Sequence, residues 1–195
     1  MRASHWTFAW VSVMVWGWIL SGCAGVPAIH SAESPRAKAH QLDAVPFYPD
    51  ETDQCGPATL ASVLTFWGHG TTPQDLKDEV YVKGLRGSLP IDLLHAAQKR
   101  GLEAEFRHGD LDDFKREIDA GHPVVALLNL GYPFFPIGHY VVVTGYDDRR
   151  QGLFVHSGLQ ENRFYPYDRF LRQWEKAGRG VLLVFPSTAE RRIVT

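Results

Sequence analysis

Cys55 opens the run Cys55-Gly56-Pro57-Ala58-Thr59-Leu60, and His139 opens the apolar run His139-Tyr140-Val141-Val142-Val143. A thiol served by an imidazole is a nucleophile with its base, and after attack on a carbonyl the imidazolium can protonate the leaving amine. Only the thiolate is nucleophilic, and the partial positive charge at a helix N-terminus lowers a thiol pKa. Leu60, Val63, Leu64 and Trp67 recur at helical spacing behind a proline that a first turn tolerates. A helix is therefore expected over residues 55–67, with Cys55 at its N-terminus and its thiol pKa lowered.

The imidazole must come from elsewhere in the chain. Of nine histidines, His5 falls in an N-terminal apolar segment, and His30 and His40 fall in a polar stretch behind it. His69, His95, His108 and His122 belong to helices or polar turns, which leaves His139 and His156 on strand-like runs. His139 follows Gly131-Tyr132-Pro133-Phe134-Phe135-Pro136-Ile137-Gly138, and its aromatic residues Tyr132 to Phe135 are a candidate wall for a cleft. Taken singly, a small residue at a helix start or a histidine at a strand start is accounted for by packing. Both together, in this order and these contexts, point to a Cys-His hydrolase.

The elements that must position them read as α+β. Thr72-Pro73-Gln74-Asp75 has an N-cap, an N1 proline and an acidic N3, and opens a helix to about Val80. Further helices are expected from near Ser88 to Gly101, from an Asp110 cap to Ala120, and over residues 167–177, where Phe170, Leu171 and Trp174 share a face. Residues 123–130, 139–146, 152–156 and 180–185 are β-branched or apolar runs of strand length. Helices first and strands after them imply helices packed on a mostly antiparallel sheet.

Composition narrows the function. Hydrophobic residues make up 45% of the 195 and charged residues 22%, enough for one core. Twenty basic and 22 acidic residues leave a formal charge of -2, so no basic footprint for nucleic acid exists. No paired Cys or His spacing suggests a metal site, and no glycine loop suggests a nucleotide cofactor. Arg2 precedes an uncharged run over residues 6–20 that ends in Leu20-Ser21-Gly22-Cys23. That pattern resembles a bacterial lipoprotein signal, with cleavage before a lipid-modified Cys23. Residues 1–22 are then the signal peptide, 23–43 a lipidated tether, 44–187 the domain and 188–195 a tail. Ala24 after the cysteine implies a lipid-anchored protein of the cell envelope, at the outer membrane facing the periplasm. Since Cys23 is claimed by lipid, Cys55 is left without a disulfide partner.

The chain also resembles the bacteriocin-processing, or double-glycine, peptidases, a C39-like family of papain-fold cysteine peptidases. The resemblance is carried by Val45-Pro46-Phe47-Tyr48-Pro49, Gln54-Cys55-Gly56-Pro57-Ala58-Thr59-Leu60, Gly121-His122-Pro123-Val124-Val125, Gly138-His139-Tyr140-Val141-Val142-Val143 and Gly145-Tyr146-Asp147. It runs from about Val45 to Pro186. It implies a papain-like fold, Cys55 as nucleophile and His139 as base. A stand-alone lipoprotein branch of the family is expected, since neither membrane spans nor an ATPase follow the domain, so ATP is not needed.

Two positions depart from the family's pattern. Where relatives place an oxyanion-binding glutamine, five or six residues before the cysteine, this chain has Asp50. An ionised carboxylate cannot donate, so either Asp50 is protonated, its pKa raised by burial and the thiolate, or another group such as Gln54 donates. Where relatives orient the histidine with an aspartate followed by proline, this chain has His156-Ser157-Gly158. Asp147 lies eight residues from His139 on the same strand, roughly 25 Å away. A hairpin turn over 147–152 instead sets His139 across from 157–160, making Ser157 the first candidate orienter, with Gln160 or Asn162 as alternatives.

The expected function is a cysteine peptidase acting on peptides or unfolded protein through a thioester intermediate. The alternatives are a peptide-binding lipoprotein with weak or no turnover, and a cell-wall amidase of related Cys-His architecture.

Overall fold

The structure is a computed structural model that describes residues 38–50, 53–132 and 134–187. The expected signal peptide, lipidated Cys23, most of the tether and the tail from 188 lie outside the described residues.

In chain order the elements are β1 (Ala39–Gln41), α1 (Cys55–Phe66), α2 (Pro73–Val80), a 3-10 turn (Lys83–Leu85), α3 (Pro90–Gln98), β2 (Glu103–His108) and α4 (Leu111–Asp119). There follow β3 (Val124–Asn129), β4 (Gly138–Asp147), β5 (Gly152–Ser157), β6 (Gln160–Pro166), α5 (Tyr167–Glu175) and β7 (Gly180–Phe185). The strands form one antiparallel sheet in the order β2-β7-β3-β4-β5-β6. β1 adds to β4 over Gly145–Asp147, beyond the stretch that β3 covers.

The alternation of strand side chains splits the core in two. Val125, Tyr140 and Val142 join Leu60, Val63 and Leu64 of α1 and the apolar faces of α2 and α3. Val124, Ala126, Leu128, Val141 and Val143 pack with Phe114 and Ile118 of α4 and with Phe170 and Trp174 of α5. The sheet is thus covered on both faces, and α1 is buried from Cys55 to Leu64. Both expected N-caps form full capping boxes, Thr72 with Asp75 and Asp110 with Asp113.

One boundary is corrected. The tether expected to run to residue 43 ends earlier, because β1 pairs with β4 and Leu42 N–H donates to the Thr144 carbonyl at 2.8 Å. The sequence reading also lacked β2 and β6. Among the described residues no helix is long and apolar enough to cross a membrane.

Candidate active site

The site forms where the start of α1 meets the start of β4. Gln54 precedes the helix, and its backbone N–H donates to Asp50 Oδ1 at 3.1 Å. The first N–H groups of a helix have no partner within it. Those of Cys55 and Gly56, together with the backbone N–H of Tyr140, act to lower the pKa of the Cys55 thiol. Tyr140 also reaches with its hydroxyl to the Ser88 carbonyl, 3.2 Å away. Ser88 in turn packs on Gly56, where a side-chain Cβ would lie 2.3 Å from the Ser88 Oγ. The glycine after the nucleophile is therefore required by close approach.

His139 sits one residue before Tyr140, and its Nε2 is 2.9 Å from Ser157 Oγ. Cys55, Asp50 and His139 line one cleft of about 680 Å³. Its rim carries Asp53, paired with Arg86 at 2.7 Å, and its apolar lining includes Leu85, Leu89, Leu127, Leu130 and Ile137. The aromatic wall expected at Tyr132 to Phe135 is corrected: Leu130, Pro136 and Ile137 line the cleft. Tyr132 and Phe135 exchange backbone hydrogen bonds in a tight hairpin, whose Tyr132, Phe134 and Phe135 side chains stand exposed.

The other orienter candidates are occupied elsewhere. Asp147 caps the β4–β5 turn, accepting from the backbone N–H of Arg149 at 2.9 Å and Arg150 at 3.2 Å. Asn162 is engaged by Thr144 and His156, and Gln160, exposed, opens β6 as the ladder partner of Ser157. The structure thus brings Cys55, His139, Ser157 and Asp50 together, with Gln54 beside them, and leaves Asp147 at the far end of β4.

The electrostatics differ from the sequence expectation. Burial pushes the Cys55 thiol above its ordinary value, and the Asp50 charge adds to this, against the backbone N–H groups of Tyr140, Gly56 and Cys55. The helix start does not win, because the thiol is only 9% exposed and the charged form is desolvated. Burial also pushes His139 below its ordinary value, opposed by Asp50 and assisted by Arg163. Both shifts favour a neutral thiol and a neutral imidazole over an ion pair. Asp50 is placed as a hydrogen-bond acceptor, since the Gln54 N–H it holds is a donor.

Sequence reasoning missed the parts played by Tyr140, Ser88 and His156. Tyr140 and Ser88 carry no spacing signal, whereas His156 was in view as the second strand histidine. Among the described residues no cluster of three or more His, Cys, Asp or Glu could hold a metal ion.

The fold is that of solved peptidases. A C39-like peptidase from Bacillus anthracis superposes with a TM-score of 0.62 at 20% identity, over 77% of this chain and all of that one. The peptidase domain of Streptococcus ComA, a bi-functional ABC transporter of a quorum-sensing pathway, gives a TM-score of 0.60 at 23% identity, over 72% of this chain and 96% of that one. A double-glycine-motif protease from an AMS/PCAT transporter, solved with a leader peptide, gives 0.57 at 21% identity, over 76% and 95%. Comparison with curated proteins finds no match. The model of the Peptidase C39-like family matches residues 39–181, from β1 to the start of β7. The chain belongs to that family, and it is a cysteine peptidase of papain-like fold.

Proposed function

We propose that Cys55 is the nucleophile and His139 the general base of a peptidase that cleaves peptides or unfolded protein segments in the bacterial cell envelope. The observation that carries this reading is the shared cleft, in which Ser157 holds Nε2 of His139 and leaves Nδ1 to take the thiol proton. Nδ1 accepts that proton as the Cys55 sulfur bonds to the substrate carbonyl carbon. The oxyanion meets the Cys55 N–H, with Gln54 as the side-chain donor. The tetrahedral intermediate collapses with cleavage of the C–N bond, and the imidazolium returns its proton to the departing amine. Water, deprotonated by His139, then releases the acyl group from its thioester. A peptide substrate is supported by the leader peptide bound to the related transporter protease. The envelope location rests on the Cys23 sequence alone.

The test is to incubate the purified domain and its Cys55→Ala form with a pool of periplasmic peptides and identify the products by mass spectrometry. Products that depend on Cys55 are expected. Equal product from both forms would dismiss the assignment. One observation favours a second reading, a peptide-binding protein with little turnover: the neutral thiol and imidazole leave the nucleophile unactivated at rest. Peptides retained by the Cys55→Ala form, together with no cleavage by the wild type, would establish that reading.

A further inference from the structure

His156 is buried at 4% exposure directly before Ser157, and both its ring nitrogens are engaged. Its Nδ1 accepts the Asn162 backbone N–H at 3.1 Å, so the ring proton sits on Nε2 and is donated to the Val45 carbonyl at 3.0 Å. Phe47 packs on the ring, with centroids 5.3 Å apart. Asn162 adopts a left-handed backbone, φ 46°, a conformation that asparagine tolerates better than most residues with a side chain. Thr144 supplies the other restraint, its Oγ1 donating to Asn162 Oδ1 at 2.9 Å from within the core.

These contacts coincide with irregularities in the sheet. The β5–β6 register shifts between Val155 and Ser157, opposite Asn162, and the β4–β5 register shifts between Val143 and Gly145, at Thr144. A bulge re-aims the side chains that follow it, and a one-residue slip turns them to the other face of the sheet. Without an acceptor at Nδ1 the half-buried Asn162 N–H would lose its protein partner, and the bulge would lose the bond that fixes it.

We propose that His156 is a positioning residue for the peptidase reaction: with Asn162 and Thr144 it fixes the bulge that aims Ser157 at His139. This rests on the Cys55–His139 assignment made above. His156 acts through Ser157.

The experiment is a double-mutant cycle on the rate of Cys55 alkylation by iodoacetamide at neutral pH, which needs no substrate. It uses wild type, Ser157→Ala, His156→Gln and the double variant, with melting temperatures measured alongside. His156→Gln is expected to slow alkylation to the same extent as Ser157→Ala, and the double variant to be no slower than either single one. His156→Asn, whose Oδ1 replaces Nδ1 as acceptor, is expected to recover most of the wild-type rate. If His156→Gln does not fold, Thr144→Val takes its place in the cycle, with the same non-additivity expected. Multiplying losses, a wild-type rate for His156→Gln, or equal rates for the Gln and Asn variants would overturn the proposal. His139→Ala, assayed for peptide hydrolysis, separates the two levels: unchanged hydrolysis there removes the catalytic assignment, while lost hydrolysis with an additive alkylation cycle removes only the role of His156.

Discussion

At the scale of single residues the site is defined by burial working against charge. The thiolate is disfavoured by desolvation and by Asp50, and the imidazolium is disfavoured by desolvation and by Arg163. For the thiol, a raised pKa means that the thiolate fraction is small at neutral pH and grows as pH rises. Alkylation of Cys55 is accordingly expected to climb steadily from pH 7, with a midpoint above the ordinary 9.0. For the histidine, a lowered pKa means that the free base persists into acid, so the acid limb of hydrolysis has its midpoint below 6.5. A flat alkylation profile from pH 5 to 8 would show a preformed ion pair instead. Asp50→Gln removes the carboxylate charge and keeps an acceptor for the Gln54 N–H. Because that charge raises the thiol pKa, the variant is expected to alkylate faster at pH 7 and to hydrolyse peptide at least as fast as wild type. An amide can also donate to the oxyanion, and loss of one such donor costs ~100-fold in turnover. A marked fall in hydrolysis with the fold intact would give the aspartate a role of its own. The pair Cys55 and His139 was legible because chain order and element type suffice to propose it. The direction of the thiol shift was not, because it depends on how deeply α1 is buried.

At the scale of elements, what the sequence revealed follows from amphipathicity. The helices with strong caps, α2 and α4, and the apolar strands β3, β4, β5 and β7 announce themselves by period and by capping residues. β2 and β6 do not. The run Glu103-Ala104-Glu105-Phe106-Arg107-His108 lies at a sheet edge and is exposed at four of its six positions, so burial selects no alternating apolar pattern. β6 lies at the other edge and contains the left-handed Asn162. The hairpin argument for Ser157 needs only the turn at 147–152 and the strand rise, and not β6; in the structure Ser157 Oγ lies 2.9 Å from His139 Nε2. β1 is three residues long, too short for any period, yet it covers the edge of β4 left open beyond β3. Leu42, packed against both halves of the core, follows it. A chain starting at Ala44 is therefore expected to be less stable than one starting at Lys38, by about 1–2 kcal/mol from the burial of Leu42 alone. Urea unfolding of the two chains checks this, and equal midpoints would show that β1 contributes nothing. The His40–Asp119 pair, open to water on both sides, adds little.

At the scale of the whole molecule, the domain places its cleft at the Gly138 end of β4, while β1 joins at the Asp147 end. A lipid on Cys23 would hold such a domain at a membrane without any apolar span within it. Cys23→Ala is expected to move the protein from the membrane pellet to the soluble periplasmic fraction, with hydrolysis unchanged. Recovery of the variant in the pellet would remove the lipid anchor from the account. The most direct test of the central claim is intact and peptide-level mass spectrometry of acid-quenched turnover mixtures. Wild type, Cys55→Ala and His139→Ala are compared on one cleaved peptide. The account predicts an acyl adduct on the Cys55-containing fragment of the wild type, none in Cys55→Ala, and product formation lowered by at least ~100-fold in His139→Ala. Cleavage that continues undiminished in Cys55→Ala, or an adduct mapped to another residue, would contradict it.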